Sequence, residues 1–169
     1  YSLDRLTGKQ LWKYKTHGEI QSSPLIEEGL VYFGSEDGIL YALDEIKGHK
    51  LWDFSTNGQI KTAPALYKGI IYITSTDNCL YGLNASTGGE IWKYNLGTEG
   101  DMPVIYKEQL IITDHMSRLH FFNSRTGEKL RDIQLIGNIC GMAILEDTIY
   151  ITSKEGVIFA LNGLSGEET

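Results

Sequence analysis

Apolar residues fall along this chain in short bursts, and the bursts come in sets of four. One set is Pro24-Leu25-Ile26, Leu30-Val31-Tyr32-Phe33, Ile39-Leu40-Tyr41-Ala42-Leu43 and Leu51-Trp52-Asp53-Phe54. None is longer than about six residues or carries i, i+3, i+4, i+7 spacing over a helical length, so the pattern predicts strands. Gly29 and Gly38 punctuate the early turns, where a hairpin needs a tight reversal.

The set recurs. Leu3 to Trp12 matches Leu43 to Trp52 at a shift of 40, Leu83 to Trp92 at a further 40, and a degenerate Phe122 to Arg131 at 39. A fifth copy runs from Leu161 to Thr169 and stops where its fourth strand should begin. Pro24, Pro64 and Pro103, with Met142 in the fourth place, keep the same register, as do Tyr41, Tyr81, His120 and Phe159. A period near 40 built from four short strands is the signature of a propeller blade rather than a helical pair. The expected fold is all-β, a β-propeller of four-stranded antiparallel blades with about four repeats of 39–40 residues. One domain or propeller segment then covers 1–169: a partial blade at 1–15, full blades at 19–56, 57–96 and 97–135, and a partial blade at 136–169.

Within each unit two features have local causes. An Asp or Asn four residues before a Gly builds the last turn: its side chain accepts from backbone N–H groups ahead, and the Gly takes positive φ. The pairs are Asp4/Gly8, Asp44/Gly48, Asn84/Gly88, Asn123/Gly127 and Asn162/Gly166. Asn fills this place in three copies and cannot act as a general base, so Asp4 and Asp44 are read as turn builders, not catalytic carboxylates. Trp12, Trp52 and Trp92 open the last strand, each followed two residues later by Tyr14, Phe54 or Tyr94 on the same face, and are expected to cement neighbouring blades. The fourth copy departs twice. Arg131 replaces the Trp, and Phe121 stands where Ser2, Ala42, Gly82 and Ala160 are small, as if large and small were exchanged across one contact. The functional alternative is a binding edge formed on this irregular blade by His115, Arg118, His120 and Arg131.

Composition adjusts the picture only at its margins. The 169 residues are 41% hydrophobic and 22% charged, a globular balance, and 19 Gly against 3 Pro fits many turns. A net charge of −7 removes the basic footprint that nucleic acid needs. No apolar run reaches the roughly 18 residues of a membrane span, and no leader is legible; the chain opens on Tyr1, so upstream sequence is expected to have been removed. Cys79 and Cys140 lie 61 residues apart with no zinc-like spacing, and both are expected to be buried, small and apolar. No phosphate loop, HExxH or GxSxG occurs, and His17, His49, His115 and His120 do not share a repeat position.

The Ala42-x-Asp44-x-x-x-Gly48-x-x-x-Trp52 pattern, preceded by Ser23-Pro24 and Val31-Tyr32-Phe33-Gly34-Ser35-Glu36-Asp37-Gly38, resembles the PQQ-like, or quinoprotein-alcohol-dehydrogenase-like, propeller repeat over essentially the whole chain. That family includes quinoprotein dehydrogenases, the periplasmic propeller subunit of the outer-membrane protein assembly machinery, and surface sensor domains. For the dehydrogenases the resemblance implies a vicinal disulfide over the quinone, a Ca²⁺ held by Glu, Asn and Asp, and a catalytic Asp. This chain has no adjacent Cys pair and no acid set that matches that site, and the Ser35–Gly38 turn lacks counterparts with alternating oxygen ligands. PQQ with Ca²⁺ is therefore unsupported, and no cofactor, metal or catalytic residue is expected. The leading expectation is a non-catalytic binding or scaffold module that meets a protein or peptide partner through loops on one face; the alternative is a segment of a quinone-dependent dehydrogenase or a ligand sensor. An extracytoplasmic place, periplasmic or cell-surface, follows from the resemblance alone. The chain closes as a four-bladed disc if Met142–Leu161 joins Leu11–Tyr14 in a composite blade, with Tyr1–Leu3 and Phe159–Leu161 rivals for one strand position. A homodimer closing the ring and a fragment of a longer chain are the other readings, because the resemblance implies seven or eight blades.

Overall fold

A computed structural model describes residues 1–163 and 165–167, so Leu164, Glu168 and Thr169 of the fifth repeat copy lie outside the described residues. The chain is all-β, in five successive antiparallel sheets. The first holds β1 (Ser2–Leu3) and β2 (Gln10–Trp12). Three four-stranded blades follow. Blade I is β3 (Leu25–Glu27), β4 (Leu30–Gly34), β5 (Ile39–Asp44) and β6 (Lys50–Ser55). Blade II is β7 (Ala65–Tyr67), β8 (Ile70–Ser75), β9 (Cys79–Asn84) and β10 (Glu90–Asn95). Blade III is β11 (Val104–Tyr106), β12 (Gln109–Thr113), β13 (Arg118–Asn123) and β14 (Lys129–Gln134). The last sheet, blade IV, has three strands, β15 (Ile139–Leu145), β16 (Thr148–Ser153) and β17 (Ile158–Asn162). Strands pair in chain order within every blade, as an up-and-down meander.

Burial follows position in the stack. The second and third strands of blades I to III are covered on both faces, so Val31 to Phe33, Ile71 to Ile73 and Leu110 to Ile112 are buried without alternation. The fourth strands alternate, as β14 does, because one face meets water. Core lies between blades rather than within them: Tyr32, Leu40 and Ala42 of blade I pack on Ile60, Ile71 and Ile73 before and in blade II. Tyr72, Leu80 and Trp92 likewise meet Leu110, Ile112 and Phe122, and Ile111, Leu119 and Phe121 meet Ile149, Ile151 and Leu161.

The joint between blades explains why the repeat keeps both its Trp and its turn. Each Asp or Asn side chain caps its own turn: Asp44 Oδ1 accepts from the N–H of Ile46 at 3.0 Å and of Lys47 at 2.7 Å, and Asn84 Oδ1 from Ser86 and Thr87 at 3.0 Å. Asp4, Asn123 and Asn162 do the same. In the three middle copies the capped turn is a socket for the preceding sheet's indole. Trp12, Trp52 and Trp92 donate from Nε1 to the carbonyls of Glu45, Ala85 and Ser124 at 2.9, 3.0 and 3.2 Å. The turn glycine is needed twice over: Gly88 has φ 72°, and a Cβ there would stand 2.5 Å from the Trp52 ring. Gly48 and Gly127 face Trp12 and Trp92 in the same way.

The five turn glycines share the turn but not the socket: Gly8 and Gly166 keep the turn without seating an indole. Both have positive φ, 68° and 75°, and donate to the carbonyls of Asp4 and Asn162 at 2.8 and 2.7 Å. Gly8, however, is exposed, with nothing within 4 Å of the place a Cβ would take. A Cβ on Gly166 would instead meet the Ile133 side chain, because blade III carries Arg131 in the Trp position. Two expectations need correction. First, β2 pairs with β1, and β17 pairs with β16 alone among the described strands, so the composite blade of a four-bladed disc is not formed. Second, Cys79 is buried as expected, but Cys140 is exposed. It sits at the start of β15, the innermost strand of blade IV, which lines the open centre instead of a joint.

Candidate functional site

The meander puts two kinds of turn on opposite faces. One face carries the turns between first and second and between third and fourth strands, including the capped Asp/Asn turns. The other carries the turns between second and third strands, at 35–38, 75–78, 114–117 and 153–157, together with the segments that lead into each first strand. On this second face the backbone is tied identically in every blade. The N–H of Glu36, Thr76, His115 and Lys154 donates to the carbonyl of Glu19, Gln59, Glu99 and Asn138 at 2.8, 2.9, 3.1 and 2.8 Å.

Side chains on that frame differ from blade to blade. In blades I and II, Tyr41 and Tyr81 donate to Asp37 and Asp77, and each carboxylate also takes a backbone N–H from the entering segment, His17 at 3.0 Å and Asn57 at 3.1 Å. Burial pushes both carboxyls up, but these hydrogen bonds outweigh it and hold them below the ordinary aspartate value. Burial and the adjacent carboxylate raise the Tyr41 and Tyr81 hydroxyls well above the usual tyrosine value. Blade III moves the acid two places. Asp114 stands where Ser35 and Ser75 stand, accepts from Met116 and Arg118 N–H at 2.9 Å, and takes the Nε2–H of His120 at 2.8 Å. Asp114 and His120 are 3% and 2% exposed, which makes the pair part of the packed blade.

The inner rim carries a second column. Ser22, Thr62, Asp101 and Cys140 occupy one repeat position at the mouth of each first strand. Ser22 Oγ bonds Gly34, Thr62 and Thr74 hydroxyls meet at 2.7 Å, Thr113 donates to Asp101 at 2.8 Å, and Cys140 Sγ lies 3.6 Å from Thr152. Between blades III and IV the last two border a cleft of about 460 Å³ with His115, Ser117, Asn138 and Lys154 on its walls. They also border a second hollow of about 340 Å³ toward the centre, where Met102 and Met142 supply apolar wall. The His115 ring nitrogens lie 3.8 Å from Glu99 and Asp101, so His115 faces carboxylates across the cleft mouth.

The four residues of the expected binding edge do not converge. His115 is exposed on this rim. Arg118 opens β13, 3.7 Å from Asp132, and His120 is buried toward blade II beside Phe122. Arg131 lies on the opposite side of the sheet toward blade IV, its guanidinium 3.9 Å over the Phe121 ring and donating to Gly163 O at 3.1 Å. Phe121 and Arg131 are direct cross-strand partners, as Ala42 and Trp52 are in blade I and Gly82 and Trp92 in blade II. The large aromatic has crossed to the neighbouring strand, and Arg131 now takes the place that Trp fills elsewhere. Sequence reasoning passed over the Ser22, Thr62, Asp101, Cys140 column, although the spacing from Pro24, Pro64, Pro103 and Met142 marks it. Among the described residues no three His, Cys, Asp or Glu side chains are grouped to hold a metal ion. No helix is long and apolar enough to cross a membrane among them.

Comparison with known proteins agrees with this architecture. The arc superposes on BamB from Moraxella catarrhalis with a TM-score of 0.83 at 18% identity, covering 95% of this chain and 52% of that one. It matches the computationally designed Ika4 protein at 0.81 and 16% identity over 92% of this chain and 99% of that one. It also matches quinohemoprotein alcohol dehydrogenase from Comamonas testosteroni at 0.76 and 16% identity, over 90% of this chain and 34% of that one. The chain thus spans about half the length of that BamB. Among proteins with curated descriptions, none is significantly similar in sequence. The family model described as outer membrane protein assembly factor BamB matches residues 1–169, and with its PQQ-like propeller repeats the chain belongs to that family.

Proposed function

We propose that this chain is a non-catalytic scaffold module that engages a protein or peptide partner through the face bearing the 35–38, 75–78, 114–117 and 153–157 turns. The observation that carries the reading is the contrast on that face between a repeated backbone frame and unrepeated side chains: Glu36-Asp37-Gly38, Thr76-Asp77-Asn78, His115-Met116-Ser117 and Lys154-Glu155-Gly156. A fixed frame with varied side chains gives a preorganised surface, which lowers the ordering cost of binding. Glu36, Asp77, Glu99, Asp101 and Glu155 make the surface acidic and favour a basic or neutral partner. The role named in the matched family's description, outer membrane protein assembly, supports an extracytoplasmic place and a polypeptide client.

The experiment is a titration of the chain with extended Lys- and Arg-rich peptides, followed by fluorescence polarisation, in parallel with PQQ plus Ca²⁺ followed by absorbance and melting temperature. Peptide binding that weakens with salt and with Glu99→Lys supports the scaffold. Quinone binding accompanied by dye-linked alcohol oxidation would replace it with the reading favoured by the quinohemoprotein match, a dehydrogenase segment.

A further inference from the structure

We infer that the hollow between blades III and IV is a site for a soft monovalent metal ion, Cu(I), held by three sulfur atoms: the Cys140 thiolate and the thioethers of Met102 and Met142. The inference goes beyond the scaffold reading and does not rest on it.

The observation is a convergence of sulfur. The chain holds 2 Cys and 3 Met in 169 residues, and Cys140, Met102 and Met142 line one hollow of about 340 Å³. Each departs from what its repeat position carries elsewhere. Cys140 stands with Ser22, Thr62 and Asp101, Met102 with Ser23, Ala63 and Gly141, and Met142 with Pro24, Pro64 and Pro103. Blades I and II enter on Ser22-Ser23-Pro24 and Thr62-Ala63-Pro64, without sulfur. Packing does not account for the change. Met102 is 47% exposed and Cys140 is exposed, so neither fills core, and only Met142 is packed in part against the joint.

The fold brings the three together from two segments. Met102 belongs to the segment that enters blade III, which is tied down by the Asp101 N–H donating to Thr113 O at 2.8 Å. Cys140 and Met142 lie on β15. The pairing of β15 with β16 shifts register between Ile139 and Gly141, so Cys140 is the extra residue of a β-bulge, a device that re-aims a side chain. Oxygen around the hollow is engaged elsewhere: the Thr62 and Thr74 hydroxyls meet at 2.7 Å, and Thr113 donates to Asp101 Oδ2 at 2.8 Å. One thiolate with two thioethers is a soft donor set that suits Cu(I), whereas Ca²⁺ and Mg²⁺ take oxygen. A structural Zn²⁺ takes four Cys, His or carboxylate ligands, and among the described residues not even three such side chains are grouped. As the Cu–S bond forms, the thiol gives up its proton to solvent. Thr152 Oγ1, 3.6 Å from Cys140 Sγ, can donate to the thiolate. The Asp101 and Glu99 carboxylates on the rim favour a cation, against Lys154 on the wall of the neighbouring cleft.

The test is a competition for Cu(I) between the chain and the coloured bicinchoninate complex, without oxygen and with ascorbate as reductant. One equivalent is expected to pass to the parent chain and to Cys79→Ser, whose thiol is buried on blade II. Cys140→Ser is expected to abolish the transfer. Met102→Leu with Met142→Leu is expected to weaken it at least about tenfold, the loss that even an indirect partner of a metal causes. Leu keeps the volume of Met, and an unchanged melting temperature of the metal-free variants shows an intact fold. Should the double variant melt early, Met102→Leu alone, at the exposed position, carries the same test. X-ray absorption at the copper edge is expected to show about three sulfur neighbours. No transfer from the dye, transfer indifferent to the Met→Leu changes, a nitrogen or oxygen shell, or equal uptake of Zn²⁺ overturns the inference. Peptide binding is measured on the metal-free chain, so its absence would overturn the scaffold reading and leave this one standing.

Discussion

Blades I and II differ from blade III in the cross-strand pair at the joint and in the partner of the second turn's acid, yet the strand pairing is the same in all three. The first two set a small residue against a large indole, Ala42 with Trp52 and Gly82 with Trp92; the third sets Phe121 against Arg131. The first two satisfy the acid of the second turn with a tyrosine, the third with a histidine from an acid moved two places. In each case both members changed together. The joint is kept as a filled volume with a donor aimed at one carbonyl, and two different pairings meet that condition here.

The comparison breaks most sharply at its large member. Trp52→Ala empties the socket above Gly88 and is expected to cost about 3–5 kcal/mol, read as a fall in the denaturation midpoint. A midpoint equal to the parent's would mean that the indole is not part of the joint. Exchange of the third joint sharpens the comparison: Phe121→Ala alone is expected to cost about 3–4 kcal/mol, and adding Arg131→Trp to recover about half of it by restoring the arrangement of the other blades. Strict additivity of the two changes would deny that they share one volume. The smallest expected effect lies in the turns. Asp37 and Asp77 have folded values below the ordinary 3.8, so their hydrogen bonds contribute stability above that value and lose it as pH falls through the folded one. Stability should therefore drop below about pH 4, and less so in Asp77→Asn, whose turn no longer titrates.

How much of this was legible depends on whether a feature repeats. The strands, their grouping by four, and the place of Asp44 or Trp52 in the unit are carried by period alone. The period says which residues are equivalent and nothing about which are neighbours, so Trp52 and Gly88, which touch, look like members of two separate motifs. Gly8 and Gly166 show the same gap from the other side: they match Gly88 in sequence and backbone angle, yet neither has an indole to seat. The expected edge of His115, Arg118, His120 and Arg131 is split for a related reason: alternate residues of a strand face opposite blades, and Arg131 lies opposite Phe121 while His120 lies opposite Asp132, so the two are on opposite sides of one sheet. Cys140 is expected in the core because an isolated Cys behaves as a small apolar residue, but its repeat partners Ser22, Thr62 and Asp101 mark it as a residue of the rim.

The Trp socket also sets a timetable. Trp52 meets the carbonyl of Ala85, 33 residues downstream, and Trp92 meets that of Ser124, 32 residues downstream. A ribosome delivering this chain from its N-terminus therefore completes each strand set before the turn that will seat its indole exists. Each Trp-bearing sheet waits, with its indole uncovered, for most of the next unit to be made, so these joints mature one unit behind the synthesis of the chain.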